Sequence, residues 1–569
     1  MRLKITKSKN VNLYYVIKTI YVDGKQKTKI VEKLGNETEV IQKANGQDPV
    51  VWAKKYIEEL NKKEKENDVE IIARFSNSIQ IEKDTQKIFN GGYLFLQDIY
   101  YGLKLDKICK KISNEYKFEY NLNSILSRLI YTRILEPCSK LSSLESARKL
   151  IEQPNFELQH IYRALEVIAE QTDFIESEVY KNSLNLVERN TKILYYDCTN
   201  YFFETEQAEG IKQYGVSKEH RPSPIVQMGL FMDGNGFPLA FCINPGNTNE
   251  QTTLKPLEKQ IIEDFELSHF VVCTDAGLAS HENRAFNNLQ NRSYVVTQSL
   301  KKIKGHLRDW ALAQDGWHTL GSKKNINLNS IDNSSENNTV YYKERWIKEN
   351  GLEQRLIVSY SPKYAAYQRN IRNGQIVRAE NLIENPSSVS RNKQNDPKRF
   401  ISSTHITNDG EVAEKRKLSL NSKAIEEEAM FDGFYAVCTT LEDEISEIIK
   451  VNKRRWEIEE SFRILKTEFK ARPVYLKNDD RIKAHFTICF LSLLIYRILE
   501  NKLENKYTSS RIIETLRTMD FFKISGEGYI PAYSRTEITD KLHSTFCFRT
   551  DMQIVTMREI KNILKKTKE

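Results

Sequence analysis

The sequence has few features of a secreted or membrane protein. Its eight cysteines are scattered, without a CxxC pair or a Cys/His cluster at the spacing of a zinc site. No apolar stretch follows Met1, and the longest apolar run, at residues 486–496, is well short of the roughly 20 residues needed to span a bilayer. We therefore expect free thiols, no secretory signal, a buried helix at 486–496 and a cytoplasmic location.

The chain also lacks internal repeats and a large excess of either charge. Lysine and arginine number 86 against 77 acidic residues, a net charge of +9 that is compatible with nucleic acid as a partner but does not demonstrate it. The content of 40% hydrophobic and 10% aromatic residues indicates a folded protein. Its length suits about three or four domains.

Residues 1–87 are predicted to form a β-hairpin and a charged helix at about 50–68. Apolar and basic residues alternate on both sides of Asp23 and Gly24, a dipeptide that favours a tight turn. Five lysines of this hairpin either meet DNA phosphates or protect a solvated strand edge from aggregation. They are Lys18, Lys25, Lys27, Lys29 and Lys33.

Residues 88–190 have helical periodicity throughout. Ile125, Leu129 and Ile134 share one helix face that ends before Pro137, and residues 161, 165 and 168 share another. We expect a compact helical domain.

From residue 192 the pattern changes to short apolar strands, which predicts an α/β core. Strands are expected at 192–196, 225–232, 237–243, 269–274 and 293–297, with a helix at 252–264. Long polar loops at 300–430 predict a β-rich insertion with its own sheet or mobile segments. The core then resumes at 431–505, and 506–569 form a C-terminal region of unassigned role.

Residues 445–470 are predicted to form one amphipathic helix. Four apolar residues lie on a single stripe at 100° per residue, namely Ile458, Phe462, Leu465 and Phe469. Arg455, Glu459 and Lys466 share one edge of this stripe, with Arg463 just beyond. Glu457 and Glu468 lie on the other flank, and Glu460 is expected to point into solvent. The simplest alternative is a solvated helix with favourable Glu/Arg spacing.

The run RRWEIEESFRILK resembles a signature of bacterial insertion-sequence DDE transposases of the "IS-four" group. That signature reads tyrosine, two residues, arginine, three residues, glutamate, six residues, lysine. Arg455, Glu459 and Lys466 match it, whereas Asn452 stands at the tyrosine position. GVSKEHR at 215–221, NPGNTNE at 244–250 and DAGLASHEN at 275–283 are also similar to this group. The resemblance implies an RNase H-like core interrupted by a β-rich insertion. It also implies that the helical domain 88–190 helps to bind transposon-end DNA, with a purely structural role as the alternative.

Asp197 and Asp275 each follow a predicted strand. An aspartate at a strand end is more often a turn or capping residue. Together with Glu459 on a helix beside the same sheet, however, the two form a carboxylate triad suited to hard divalent cations. We expect Asp197, Asp275 and Glu459 to be both catalytic residues and ligands of two Mg²⁺ ions, for which Mn²⁺ substitutes.

The resemblance assigns Arg455 and Lys466 to DNA contacts beside the cleavage site, and we add Arg463 as a third phosphate contact. His220 and His281 are expected to be structural or DNA-contacting residues rather than catalytic bases. Trp310, Trp317 and Trp346 lie in the insertion, where the alternatives are ordinary packing, which we expect, and stacking on an extruded base.

The resemblance implies a DNA transposase that acts on double-stranded DNA. Such an enzyme binds the terminal inverted repeats of its element, cleaves to expose 3′-hydroxyl ends and joins them to target DNA. We expect a homodimer on DNA, associated with the bacterial nucleoid. Two alternatives stay open: an RNase H-like nuclease without strand transfer, and a DNA-binding relative without catalysis.

Overall fold

The computed structural model describes residues 1–7, 12–22, 25–66, 76–322, 324–384, 396–406 and 415–569. It divides into two compact units, Met1–Thr85 and Gln86–Glu569. The predicted turn at Asp23 and Gly24 lies outside the described residues, as do the side chains of Lys25 and Lys27.

The first unit is a three-stranded antiparallel sheet with two helices packed on it. Its elements are β1 (Arg2–Lys7), β2 (Asn12–Val22), β3 (Lys25–Asn36), α1 (Glu37–Lys43) and α2 (Pro49–Glu66). Tyr14, Val16 and Leu34 of the sheet form a small core with Val40 and Ile57 of the helices. The predicted hairpin corresponds to β2 and β3, and the structure adds β1 as a third strand.

The second unit opens with a short strand and six helices. They are β4 (Ile88–Asn90), α3 (Tyr93–Gly102), α4 (Leu105–Glu115), α5 (Leu122–Leu135), α6 (Lys140–Arg148), α7 (Leu158–Glu170) and α8 (Thr172–Ser183). Ile125, Leu129 and Ile134 are buried on α5, and α5 ends two residues before Pro137. This confirms the helical periodicity of the region.

A nine-stranded mixed sheet forms the centre of the unit, in the order β10-β11-β12-β15-β9-β8-β5-β6-β7. Its strands are β5 (Ile193–Phe202), β6 (Ile225–Asp233), β7 (Pro238–Pro245), β8 (Val271–Thr274), β9 (Ser293–Thr297), β10 (His318–Thr319), β11 (Tyr341–Glu349), β12 (Leu352–Tyr360) and β15 (Phe434–Thr439). Strands β5, β6 and β7 pair antiparallel, while β8 pairs parallel with both β5 and β9. Helices α9 (Leu254–Asp264) and α10 (His281–Phe286) lie between these strands in the chain.

The segment 300–430 forms a sheet of its own only in part. Strand β12 hydrogen-bonds with β15, so β10, β11 and β12 extend the central sheet. The segment also contains α11 (Gly305–Leu312), α12 (Pro362–Glu384), α13 (Ser422–Ala429) and a separate pair of strands, β13 (Ile401–Ile406) and β14 (Lys415–Leu420).

The predicted helix 445–470 is interrupted. It consists of α14 (Ile445–Lys453), a turn at Arg454 and Arg455, α15 (Trp456–Arg463) and a π-helical turn, Ile464–Glu468. The four predicted stripe residues are all buried, and the π turn buries Ile464 as well. An ideal 100° step therefore describes the buried face but not the position of Lys466, which lies in the wider π turn.

Helix α16 (Asp479–Lys502) is the only described helix that is long and apolar enough to cross a membrane, and 94% of its most apolar window is buried inside the protein. The expected burial of 486–496 is thus confirmed. The chain ends with α17 (Ser509–Thr518), β16 (Asp520–Ile524), β17 (Gly528–Pro531), α18 (Glu537–Phe546), β18 (Val555–Thr556) and α19 (Met557–Lys566). Strand β16 pairs with β4, so the C-terminal region closes on the beginning of the same unit.

Candidate active site

Asp197 lies within β5 rather than at its end. The strand continues to Phe202, and Asp197 is opposite Leu230 of β6. Side chains alternate along a strand, so Asp197 shares a face with Tyr195 and Tyr201. The Tyr195 hydroxyl donates to the Val451 carbonyl of α14 at 2.9 Å, which identifies this face as the one that α14 covers.

Asp275 follows the last residue of β8, as predicted. In the parallel pairing of β5 with β8, Tyr195 is opposite Cys273. Two residues further along each strand bring Asp197 and Asp275 to matching positions. The Oδ1 atom of Asp275 accepts hydrogen bonds from the backbone N–H groups of Gly277 and Leu278, at 2.9 and 3.0 Å.

The two aspartates interact electrostatically. Burial raises the pKa of Asp197 to about 6, and the negative charge of Asp275 contributes to the increase. Lys218, the backbone N–H of Cys198 and Arg455 act in the opposite direction. Asp197 therefore lies between one like charge and two cations.

Glu459 is connected to this pair through Arg455. Its carboxylate lies 3.5 Å from the Arg455 guanidinium, one helical turn away, and its side chain is 59% exposed. Arg455, by contrast, is mostly buried, and its charge partly offsets the increase in the pKa of Asp197. The structure thus brings Asp197, Asp275 and Arg455 together, with Glu459 at the solvent side of Arg455.

Lys218 is a site residue that the sequence analysis did not single out. Its ammonium donates to the Cys198 carbonyl at 2.5 Å and lies 3.1 Å from Glu250. Burial alone would lower the pKa of Lys218, but Asp197 and Glu250 raise it above its usual value. The signal was present, because Lys218 is part of the GVSKEHR run that resembles the transposase group.

Lys466 lies in a separate group of charges, which we call the Glu219 cluster: Glu219, Arg221, Lys466 and Arg472. Glu219 is 2.6 Å from Arg472, 3.6 Å from Lys466 and 4.0 Å from Arg221. Both arginines lie over the Phe202 ring, and Lys466 lies over Tyr201, at the end of the strand that carries Asp197. Three cations here surround one carboxylate.

Arg463 and Glu460 are placed differently from the expectation. Arg463 contacts Glu460 at 3.2 Å, the Ser509 hydroxyl at 3.0 Å and Glu468 at 3.7 Å, so it faces α17 rather than the edge with Arg455. The Glu460 side chain is only 28% exposed, less than Glu459. The prediction that Glu460 points into solvent was wrong, because α17 and the chain before it cover this face.

Asn452, at the signature tyrosine position, is buried where α14 packs on the sheet. Its Nδ2 donates to the Tyr435 hydroxyl of β15 at 2.8 Å, and that hydroxyl lies 2.8 Å from Thr297 Oγ1 of β9. Asn452 thus links α14 to the sheet next to the site.

The remaining candidates divide by burial. Trp317 is fully buried against Tyr360 and Phe434, which confirms a packing role. Trp346 is 46% exposed, Trp310 is half-buried, and both His220 and His281 are exposed.

Asp197 and Asp275 suit a hard divalent cation in their chemistry. Each uses only Oδ1 for hydrogen bonds within the described part of the chain, which leaves its Oδ2 available. Among the described residues, however, no group of three or more His, Cys, Asp or Glu side chains lies close enough together to hold a metal ion. Glu459 would have to leave Arg455 to complete such a group.

Comparison with known proteins identifies a family and similar solved structures. A family model described as a transposase DDE domain matches residues 193–495, just over half of the chain. Among solved structures, the chain is similar to a cryo-EM structure of the piggyBac transposase synaptic complex with hairpin DNA, at 8% identity, 84% coverage of each chain and a TM-score of 0.35. No curated protein matches the chain.

Proposed function

The chain belongs to the DDE transposase family, and from that premise we propose that it cleaves DNA at the ends of an insertion sequence and joins the 3′-hydroxyl ends to target DNA. The observation that carries this proposal is the matching position of Asp197 and Asp275 on parallel strands, with their charges coupled. Arg455 and Glu459 on the adjoining helix complete the arrangement.

We infer that Asp197, Asp275 and Glu459 hold Mg²⁺, or Mn²⁺ in its place, when DNA is bound. The metal supplies Lewis-acid activation of the attacking oxygen and stabilisation of the leaving oxygen. Asp197 would be deprotonated in that state, since a bound cation offsets the burial and the like charge that raise its pKa. Glu459 would exchange its ion pair with Arg455 for the metal, and Arg455 would then be released to contact a phosphate.

The cations near the carboxylates would position the DNA backbone. Arg455 and Lys466 are proposed phosphate contacts, and Lys218 joins them because its ammonium acts on Asp197. Arg463 is the third proposed phosphate contact, on another face, where Glu460, Glu468 and Ser509 hold it.

The sheet topology supports an RNase H-like core, which we propose for the segments 191–299 and 431–505. Antiparallel β5, β6 and β7 next to parallel β8 and β9 are consistent with that fold. On this proposal the segment 300–430 is the insertion, and 88–190 is a helical domain that helps to bind transposon ends. A homodimer in the bacterial cytoplasm, bound to the nucleoid, is also part of the proposal.

A strand-transfer assay tests this function. A duplex that carries the terminal repeat is incubated with the protein, Mg²⁺ and a target plasmid. We expect repeat-specific cleavage followed by joined products that start from the 3′-hydroxyl. Cleavage without joined products would favour the nuclease alternative, and binding without cleavage would favour the inactive relative.

A further inference from the structure

A cavity of about 420 Å³ next to the Glu219 cluster contains positive charge without acidic side chains. It is lined by the start of α6, by residues 470–476 after the π turn, and by parts of α5, α7 and α16. No Asp or Glu of the described residues lines it. Five basic side chains do, namely Arg133, Lys140, Lys470, Arg472 and His485. We call it the Lys140 pocket.

Lys140 is the unusual member of this set. The residue is only 5% exposed, and no described group accepts a hydrogen bond from its ammonium or pairs with it. An ammonium that is largely withdrawn from water and has no partner is costly to keep charged, because desolvation disfavours its charge.

Arg133 adds a second positive charge to the pocket, and no carboxylate of the described residues neutralises it. Its guanidinium donates to the carbonyl groups of Phe469 and Cys138, both at 3.2 Å, and its buried Nε has no partner among the described residues. Those carbonyls fix the orientation of the side chain but carry no full negative charge. Arg133 therefore increases the positive potential around Lys140.

The N-terminus of α6 points backbone donors toward the same cavity. Ser139 is the N-cap residue and accepts from the Ser142 N–H at 3.2 Å, while the N–H groups of Lys140 and Leu141 precede the first helical hydrogen bond. All four residues line the cavity. Unpaired N–H groups and the helix dipole together favour an anion.

We propose that the Lys140 pocket binds a phosphate group of the DNA backbone. The pocket combines an unpartnered ammonium, a fixed guanidinium and helix N-terminal amides, which are the donors that phosphate oxygens require. Arg472 lines this pocket and also pairs with Glu219, so the pocket adjoins the cations next to the active site. The choice of DNA as the source rests on the proposed function; a free phosphate ion offers the same chemistry.

The protonation state of Lys140 agrees with an anionic ligand. Burial and the nearby Arg133 lower the pKa of Lys140 to about 7. Burial together with the charges of Lys140 and Arg133 also keeps the pKa of His485, in the same pocket, well below its usual value, and His485 contacts the Ala471 carbonyl at 3.1 Å. A phosphate in the pocket would raise the pKa of Lys140 and favour its charged form.

Lys140→Met separates a ligand site from a merely structural residue. It removes the ammonium but keeps the apolar stem, so without ligand we expect its Tm to equal or exceed that of the wild type. Sodium phosphate, compared with sodium chloride at equal ionic strength, should raise the Tm of the wild type and of Lys140→Arg but not of Lys140→Met. Lys149→Met is the matched control, because Lys149 is exposed at the other end of α6 and pairs with Glu136; it should respond as the wild type does.

DNA binding then identifies the source of the phosphate. For the terminal-repeat duplex, we expect Lys140→Met to reduce the magnitude of the slope of log affinity against log salt by about 1. The slope for Lys149→Met should equal that of the wild type. A phosphate response that is equal in the wild type and Lys140→Met overturns the pocket. A lost phosphate response with unchanged DNA binding overturns DNA as the ligand. Should Lys140→Met fail to fold, Lys140→Gln takes its place.

These experiments test the Lys140 pocket separately from the proposed transposase activity. A wild type that cleaves and joins DNA, with no effect of Lys140→Met on phosphate or DNA binding, contradicts the pocket alone. A Lys140-dependent phosphate response in a protein that never cleaves DNA supports a phosphate site and contradicts the proposed activity.

Discussion

Asp197 and Asp275 occupy matching positions on two parallel strands, two residues beyond the paired residues Tyr195 and Cys273. Burial raises the pKa of Asp197 and the charge of Asp275 adds to the increase, so the two carboxylates interact although they are distant in sequence. Two close, partly buried acids destabilise a fold unless a cation or a proton offsets their repulsion. This pair is therefore more readily explained by function than by stability.

The pair predicts that stability falls as the pH rises. The pKa of Asp197 is raised from 3.8 to about 6, so the folded state binds the proton more tightly than the unfolded state. The contribution of Asp197 to the free energy of unfolding is therefore largest below pH 3.8 and is lost as the pH rises through about 6. Above that range Asp197→Asn should be more stable than the wild type, by up to about 3 kcal/mol. Urea unfolding across this pH range measures the difference.

The control for this prediction is Asp309→Asn, an exposed aspartate next to Arg308. We expect it to follow the wild-type pH profile.

Mg²⁺ should raise the Tm of the wild type but not of Asp197→Asn, because metal that binds only the folded state stabilises it. An Asp197→Asn protein with wild-type stability and an unchanged Mg²⁺ response would contradict the coupled pair.

Arg455 and Arg463 are expected to differ in function although they lie on the same helical segment. Arg455→Gln removes the cation between Glu459 and Asp197 and should reduce cleavage by about 100-fold, in line with the loss of one charge-stabilising donor. Arg463→Gln removes contacts with Glu460, Glu468 and Ser509 and should lower stability without a comparable loss of cleavage. Parallel cleavage and unfolding measurements compare them. Equal losses of cleavage would show that Arg463 acts at the cleavage site as Arg455 does.

Glu219 is expected to compete with DNA for the cations around it. Glu219→Gln leaves Arg472 and Lys466 without their carboxylate, which should cost about 1–3 kcal/mol of stability. The same change should increase affinity for duplex DNA about fivefold and steepen its salt dependence, since the freed cations can meet phosphates. Filter binding over a salt series measures both. Glu209→Gln, at an exposed carboxylate, is the control, and a weaker affinity of Glu219→Gln would show that Glu219 supports the DNA interface instead.

Asn452→Tyr tests the departure from the family signature. The sequence alone predicts that the change is tolerated or improves activity. Because Asn452 is buried and donates to Tyr435 at 2.8 Å, a larger ring should overpack the site and cost about 1–3 kcal/mol. Thermal unfolding measures this cost. A Tm equal to that of the wild type would show that the space next to β15 adapts to the ring.

Much of the architecture could be predicted from local patterns in the sequence. The strands that contain Asp197 and precede Asp275 were recognisable from short apolar runs, and the stripe from Ile458 to Phe469 predicted the buried face of the helix. The end of β5 was missed because an aspartate in YYDCTN resembles a turn, whereas pairing with β6 carries the strand on to Phe202. The turn at Arg454 and Arg455 leaves the helical periodicity almost unchanged, so the sequence cannot show it.

Features that depend on distant contacts were not predictable. Glu460 was expected in solvent because its own helix does not show that α17 covers it. Lys218 and the Glu219 cluster acquire their charged neighbours only when the loop 215–221 meets β5 and the π turn. Strand β12 joins β15 through hydrogen bonds between segments far apart in the chain, which a local reading of 300–430 takes as a separate sheet.

Mg²⁺-dependent cleavage of a terminal-repeat duplex by the wild type, Glu459→Gln and Glu447→Gln tests the proposed carboxylate triad. Glu447 is the matched control, because it is an exposed glutamate in an ion pair with Lys450 on the preceding helix. We predict that Glu459→Gln abolishes cleavage but keeps DNA binding, while Glu447→Gln cuts as the wild type does. Normal cleavage by Glu459→Gln would contradict the triad and leave the ion pair with Arg455 as the role of Glu459.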